Sequence, residues 1–158
     1  SIASAFSNFA KMPTQNREEL NVVEVVKYAL DIFAEDYISY FSEKEVIKAE
    51  LDKTQLIRII TNLVKNATQA LDEVENKKIE VTVSDDEKNV IITVADNGKG
   101  ILVEDKEKIF EPKFTTKSSG MGLGLGMVKN IVEAYNGSIT FTSKHNKGTV
   151  FKIVVPKK

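Results

Sequence analysis

Asn62 and Asn66 stand one helical turn apart in LIRIITNLVKNATQAL, residues 56–71. Leu56, Ile59, Ile60, Leu63, Val64, Ala67, Ala70 and Leu71 recur at helical spacing and predict a strong apolar face. Positions four apart stack on one side of a helix, so Arg58, Asn62, Asn66 and Gln69 form a polar stripe beside that face. Asparagine is a mediocre helix former, so two of them on one face call for a reason. A carboxamide oxygen can ligate Mg²⁺, and the amide NH₂ can donate to phosphate. A solvated polar face is the plain alternative.

The second stretch able to do chemistry is VADNGKGILVEDKEKIFEPKFTTKSSGMGLGLGMV, residues 94–128. An apolar, β-branched run, Val90 to Val94, ends in Asp96-Asn97-Gly98-Lys99-Gly100. A polar loop of about 20 residues follows, a length that compact domains keep for binding loops and lids. It closes on glycines at 120, 122, 124 and 126, which open an apolar helical pattern. Alternating glycines let backbone amides come close to an anion, and a helix start adds its dipole. The expectation is a phosphate-binding lid anchored by glycine at both ends. Commoner phosphate motifs are excluded. No Gly-Lys-Ser/Thr occurs for a Walker loop, polar FTTKSS rather than a strand precedes the glycines, and the protein-kinase triplets HRD and DFG are absent.

Composition bounds the rest. A chain of 158 residues with 42% hydrophobic and 28% charged residues fits one soluble globular domain. A net charge of −1 offers no electrostatic case for nucleic acid or an anionic membrane. With no cysteine, disulfides, thiolate chemistry and cysteine metal sites are excluded. No apolar run reaches the length of a membrane span.

The elements that must position these residues can be taken in order. Ile2, Ala5, Phe6 and Phe9 share a helical face that stops at Pro13, and residues 1–13 read as the tail of a longer helix. Residues 14–20 read as a polar linker. Asn21 with Glu24 reads as a capping pair, opening a helix through Val26, Ala29, Leu30, Phe33 and Tyr37. Glu45 to Leu51 predicts a short strand, and Asp52 caps the asparagine helix with Gln55 three residues on. Lys78–Val83 and Val90–Ala95 predict a hairpin. Gly122–Tyr135 predicts a helix ended by Asn136-Gly137 in a left-handed cap, with Leu123, Met127, Val128, Ile131 and Val132 inward. Ser138–Ser143 and Thr149–Val155 predict a second hairpin, with His145 in its turn. The fold class is α+β, a two-layer sandwich of a mixed, mostly antiparallel sheet of about five strands on about three helices.

In this order the motifs resemble the ATP-binding catalytic domain of bacterial sensor histidine kinases, of the nitrogen-regulation type. That domain shares its ATP fold (the Bergerat fold) with type II topoisomerases, Hsp90-like chaperones and MutL proteins. The resemblance covers about residues 20–156. NLVKNATQAL (62–71) is similar to the asparagine box, DNGKGI (96–101) to the first glycine box, IFEPKFTTK (109–117) to the phenylalanine box and GMGLGLGMV (120–128) to the second glycine box. GTVFKIVVP (148–156) resembles the closing strand.

The resemblance implies roles. Asp96 would accept from the adenine amino group, Gly98 and Gly100 would turn the backbone beneath the base, Ile101 would pack on it and Thr149 would support it. Asn62 would ligate Mg²⁺ and Asn66 would contact phosphates. Gly120, Gly122 and Gly124 would give amides to phosphate oxygens, and Lys117 would bring an ammonium near the γ-phosphate. Phe110 would hold the lid, about residues 102–121, with Phe114 assisting. Thr115, Thr116, Met121, Leu123 and Leu125 are placed in the same nucleotide site. Three positions depart from the usual boxes: Lys113 for an aromatic, Met121 for a threonine and Gly126 for an alanine or serine.

The implied activity is protein-histidine kinase, with ATP and Mg²⁺ as cofactors. Hydrolysing relatives carry a general-base glutamate one turn before the first asparagine. Here that place is Arg58, whose guanidinium stays protonated, which argues against a topoisomerase-like or chaperone-like ATPase. An anti-sigma-type serine kinase and a non-catalytic nucleotide switch stay open as alternatives. FSNFAKMP (6–13) resembles the end of the second dimerisation helix, so residues 1–13 are expected to be its remnant and residues 21–158 the catalytic domain. His145 reads as a surface turn residue, so the acceptor histidine is expected on a dimerisation domain outside this sequence. The implied partners are ATP or ADP, that dimerisation domain in cis or trans, and a response regulator. The whole protein is expected to be a homodimer linked to the membrane, with this domain cytoplasmic.

Overall fold

Period-two alternation builds the sheet. In the computed structural model, which describes residues 15–111 and 122–158, Ile79, Val81 and Val83 of β4 (Ile79–Asp85) are buried. So are Val90, Ile92 and Val94 of β5 (Asn89–Asp96) and Phe151, Ile153 and Val155 of β7 (Gly148–Pro156). Register sets these residues side by side, Val81 opposite Val94, Ile92 opposite Ile153 and Val94 opposite Phe151, so one face of the sheet is continuous hydrocarbon. With β2 (Ile38–Phe41) and β6 (Ser138–Lys144), the strand order is β2-β4-β5-β7-β6. Only β2 against β4 is parallel.

Three α-helices among the described residues cover that face. Helix α1 (Val22–Leu30) buries Val22, Val23, Val25, Val26 and Ala29. Helix α2 (Lys53–Ala70) buries Leu56, Ile59, Ile60, Leu63, Val64 and Ala67, and Leu71 just beyond it is fully enclosed. Helix α3 (Gly122–Ala134) buries Val128, Ile131 and Val132. The architecture is the α+β two-layer sandwich that the sequence implies.

The helix ends follow the expected chemistry. Asn21 Oδ1 accepts from the Val23 amide and caps α1, and Asp52 Oδ1 accepts from the Gln55 amide and caps α2. Asn136 takes a left-handed φ of 61°, the Asn136 amide donates to the Glu133 carbonyl and the Gly137 amide to that of Val132. This is the paired-bond cap that ends α3.

Three expectations need correction. The helix expected to run through Tyr37 ends at Leu30, because the Tyr37 carbonyl accepts from the Ile79 amide and leads directly into β2. Pairing with a strand far along the chain overrides a local helical period, while Phe33 and Tyr37 still pack on the core from non-helical chain. The strand expected from Glu45 is shorter, β3 being Lys48–Leu51. Part of the polar linker is a strand too: β1 (Glu18–Asn21) pairs antiparallel with β3 as a separate two-stranded sheet. The expected helix over residues 1–12 lies outside the described residues.

Asp52 ties this fold to its N-terminal approach. Its Oδ2 accepts from the Asn16 amide at 2.9 Å, and its own amide donates to the Tyr135 hydroxyl, which in turn donates to Gln55 Oε1. Arg17 lies over the Tyr135 ring, 4.6 Å from its centroid. Burial pushes the Asp52 carboxyl up, but the amides of Asn16, Gln55 and Thr54, together with the Arg58 charge, hold it below the usual carboxylate range. A depressed pKa contributes stability above the unfolded value of about 3.9, lost as pH falls through the folded value. Asp52→Ala is expected to lower unfolding free energy by about 1–2 kcal/mol in urea at neutral pH, and to shrink the acid-side loss of stability. An unchanged urea midpoint contradicts this.

Candidate nucleotide site

The site lies where β5 runs out beside the end of α2. Asp96 closes β5, and its Oδ1 accepts from the Gly98 amide at 2.8 Å, turning the chain sharply. The next amide, Lys99, donates to the Ala70 carbonyl at 3.0 Å. A Cβ on Gly98 would fall 2.4 Å from that same carbonyl oxygen, so only glycine lets the loop lie against the helix end. Asn97 braces the turn: its Oδ1 accepts from the Lys78 amide and its Nδ2 donates to the Asn76 carbonyl.

The β6–β7 hairpin clasps the loop from the other side. The Asn146 amide donates to the Lys99 carbonyl at 2.7 Å. Gly148 has a φ of 128°, and a Cβ there would fall 2.1 Å from the Asp96 carbonyl oxygen. Thr149 is opposite Asp96 in register and is buried. The Ile101 amide donates to Ser143 Oγ. His145 is exposed in the hairpin turn.

Burial holds the Asp96 carboxyl above the usual range, against the opposing pull of the Gly98 and Thr149 amides. Two amides do not fully solvate a half-buried carboxylate, so the group retains capacity to accept another donor.

The asparagines occupy the flank of α2 as expected. Asn62 Nδ2 donates to the Arg58 carbonyl one turn back at 2.8 Å. Its Oδ1 faces the first turn of α3, where a Cβ on Gly124 would fall 2.7 Å away. One turn on, Asn66 Nδ2 is shut off from solvent and has no hydrogen-bond partner among the described residues. Leaving such a donor unpaired costs about 1–3 kcal/mol, which marks the place for an acceptor. Arg58 is exposed on the same helix.

Phe110 is packed at the end of the described loop that follows β5. It packs edge-on against Phe141 of β6 with ring centroids 5.9 Å apart, and the Lys129 ammonium of α3 lies 5.3 Å from its centroid. Neighbouring Ile109 is buried, while Leu102 and Val103 are exposed.

Thus Asp96, Gly98, Gly100, Ile101 and Thr149 gather at the β5 end. Asn62 meets Gly124 between α2 and α3, and Leu125 is half-buried on α3. Gly122 and Leu123 belong to the first turn of α3. Phe114, Thr115, Thr116, Lys117, Gly120, Met121 and the departure at Lys113 lie outside the described residues. Sequence reasoning missed Ser143, Gly148, Asn97 and Lys106 as parts of the site. A glycine before Thr149 in a hairpin turn was a usable signal, but a lone serine in a strand was not.

Residues 51–158 match the HATPase_c family, the histidine kinase-, DNA gyrase B- and HSP90-like ATPases, and the chain belongs to that family. Among the proteins it resembles are sensor histidine kinases. The sensor histidine kinase ZraS of Salmonella typhimurium is 36% identical over 145 residues, 88% of this chain and 31% of that protein. A putative NtrY-like sensor histidine kinase of Rickettsia conorii is 34% identical over 156 residues, 96% of this chain and 26% of that protein. The chain therefore spans about a third or less of the length of these relatives. Among solved structures, the nucleotide-free catalytic domain of the histidine kinase ThkA superposes with a TM-score of 0.80 at 34% identity, covering 90% of this chain and 96% of that one. ThkA in complex with the response regulator TrrA gives 0.79 at 29% identity, covering 99% of this chain and 46% of that one. The fold is that of the histidine kinase catalytic domain.

The raised Asp96 pKa has a signed consequence. The fold favours the neutral carboxyl, so this group's contribution is fully present below about 3.9 and is lost as pH rises through the folded value. Asp96→Asn, neutral at every pH, is expected to melt at or above the wild-type temperature at pH 7 by differential scanning calorimetry without ligand. A melting point several degrees lower contradicts this.

Proposed function

We propose that the chain is the ATP-binding catalytic module of a sensor histidine kinase. It binds Mg²⁺·ATP and presents the γ-phosphate to a histidine on the dimerisation domain of the same kinase, for onward transfer to a response regulator. The observation that carries this is the buried Asn66 amide beside Asn62, which has no hydrogen-bond partner among the described residues. A phosphate oxygen is the acceptor that such a donor lacks. Asp96, with burial holding its carboxyl up and spare acceptor capacity, suits the adenine amino group.

The donor set fits magnesium. Asn62 spends its NH₂ on the Arg58 carbonyl and keeps a neutral oxygen toward α3. Among the described residues no three His, Cys, Asp or Glu gather into a cage, so phosphate oxygens and water would complete the shell, as this ion prefers. When bound, the ion neutralises charge on the transferring phosphate. The chain's own residues do the remainder. Gly98 and Gly100 shape the adenine floor, and Ile101 and Thr149 line it. Gly120, Gly122 and Gly124 would give amides to phosphate oxygens, with Met121, Leu123 and Leu125 in the same nucleotide site. Lys117 would bring its ammonium near the γ-phosphate, Thr115 and Thr116 would belong to the same nucleotide site, and Phe110 would hold the lid by apolar packing. The incoming imidazole nitrogen forms the new bond to phosphorus as the bond to the β-phosphate oxygen breaks, and ADP leaves. Positioning supplies most of the rate. Arg58 cannot deprotonate water, which favours transfer over hydrolysis.

We assign residues 1–13 to the end of a dimerisation helix and residues 21–158 to the catalytic domain. The whole protein is then a membrane-linked homodimer with this domain on the cytoplasmic side. No helix among the described residues is long and apolar enough to cross a membrane.

Titration calorimetry with ADP and a non-hydrolysable ATP analogue, with and without Mg²⁺, tests nucleotide binding. Saturable binding is expected, weakened by a factor of about 30 or more in folded Asp96→Asn, because a charged, half-buried acceptor is removed. Unchanged affinity removes Asp96 from the adenine site. Incubation with γ-labelled ATP tests transfer. The chain alone is expected to stay unlabelled, and its own kinase's dimerisation domain, added separately, to gain acid-labile label. Label on His145 overturns this assignment of the acceptor.

A further inference from the structure

Asp96, Thr149 and Ser143 form one row across β5, β7 and β6, since register sets Asp96 opposite Thr149 and Thr149 opposite Ser143. Ser143 ends this row on an edge strand, yet it is 9% exposed. Its Oγ accepts from the Ile101 amide at 2.8 Å, where the glycine loop leaves the site. The same oxygen lies 2.8 Å from Thr149 Oγ1 and 3.1 Å from the Gly148 carbonyl. The Ser143 carbonyl accepts from Lys106 Nζ at 2.8 Å, at the root of the lid.

Proton counting makes this cluster directional. A serine hydroxyl has one proton and two lone pairs, and the Ile101 amide occupies one lone pair. If the Ser143 proton goes to the Gly148 carbonyl, Thr149 donates its own to Ser143 and offers only lone pairs elsewhere. If the Ser143 proton goes to Thr149, the Thr149 proton is free for another acceptor. In both cases Ser143 decides what the Thr149 hydroxyl presents. The hydroxyl is the side-chain partner that the partly buried Ile101 amide and the buried Thr149 hydroxyl share.

We propose that Ser143 is a positioning residue of the nucleotide site. Its hydroxyl orients Thr149 and fixes the Ile101 amide, and its carbonyl holds Lys106, so the adenine floor and the lid root keep one geometry. The proposal rests on the nucleotide-binding role argued above. Ser143 touches no nucleotide itself and acts through Thr149 and Ile101.

The test is a double-mutant cycle on ADP affinity by calorimetry, at a temperature where every variant is more than nine-tenths folded by circular dichroism. Ser143→Ala is expected to weaken ADP binding by about tenfold, the scale of one lost buried hydrogen bond. Ser143→Thr, which keeps the hydroxyl, should stay within about threefold of wild type. Thr149→Val should weaken binding similarly, and the double variant should be no more than about twofold weaker than the weaker single variant, because both disrupt one coupled arrangement. Unchanged ADP affinity in folded Ser143→Ala, or fully additive losses, overturns the proposal. If Ser143→Ala does not fold, Ser143→Cys takes its place, since a thiol is a weak donor and acceptor, and the same loss and the same reversal apply. Wild-type chain that binds no ADP overturns the nucleotide reading and this proposal with it. Wild-type binding with an unaffected Ser143→Ala overturns this proposal alone.

Discussion

Helix α2 uses two adjacent strips of one surface. Its apolar strip, including Ile60, Leu63 and Val64, packs on the sheet and is almost wholly enclosed. Each such side chain contributes about 1.5–3 kcal/mol on burial. The flank beside it carries Asn62 and Asn66, where an unpartnered buried amide costs about 1–3 kcal/mol. Several enclosed aliphatic residues outweigh one unsatisfied donor, so the helix can hold a polar group in waiting without losing its place. The first glycine loop depends on the same helix, because Gly98 and Lys99 lie against the Ala70 carbonyl at its end. Helix α3 depends on it too, since Gly124 comes close to Asn62.

Three aspartates show how the fold separates structure from binding. Asp85 is held below the ordinary range by Lys157 and Lys44, whose ammonium groups each lie 2.7 Å from it. Asp52 is buried, yet three backbone amides and Arg58 lower it. Both are satisfied within the chain. Asp96 has two amides and no cation among the described residues, and burial wins. A carboxylate left this way is poorly satisfied by its own protein and suited to an external donor. The buried Asn66 amide, without a partner among the described residues, is its counterpart of opposite polarity. On the proposed reading, the two groups suit a ligand with a donor at one end and anionic oxygens at the other.

Much of this was legible in the sequence because it is local. The asparagine spacing, the Asp52 cap, the Asn136-Gly137 helix end and the two hairpins are each specified within a few residues. What escaped depends on partners far along the chain. β2 is four residues long and finds its place only beside β4, so Phe33 and Tyr37 looked like a continuing helix. β1 carries two exposed glutamates and reads as linker until β3 pairs with it. Ser143 gains meaning only from Thr149 across the hairpin and Ile101 on another loop, contacts without a sequence period. Lys117 and the glycines from Gly120 to Gly126 carried the most specific motif, and part of it lies outside the described residues.

If α2 holds an amide donor for a nucleotide phosphate, the side-chain NH₂ resonances of ¹⁵N-labelled chain will report it. On titration with Mg²⁺ and a non-hydrolysable ATP analogue, the Asn66 NH₂ signals should shift with the same saturation curve as the Gly98 and Ile101 backbone amides. Adenosine alone should move the backbone amides and leave Asn66 in place. Saturable binding that leaves the Asn66 NH₂ unmoved by the triphosphate would contradict the account.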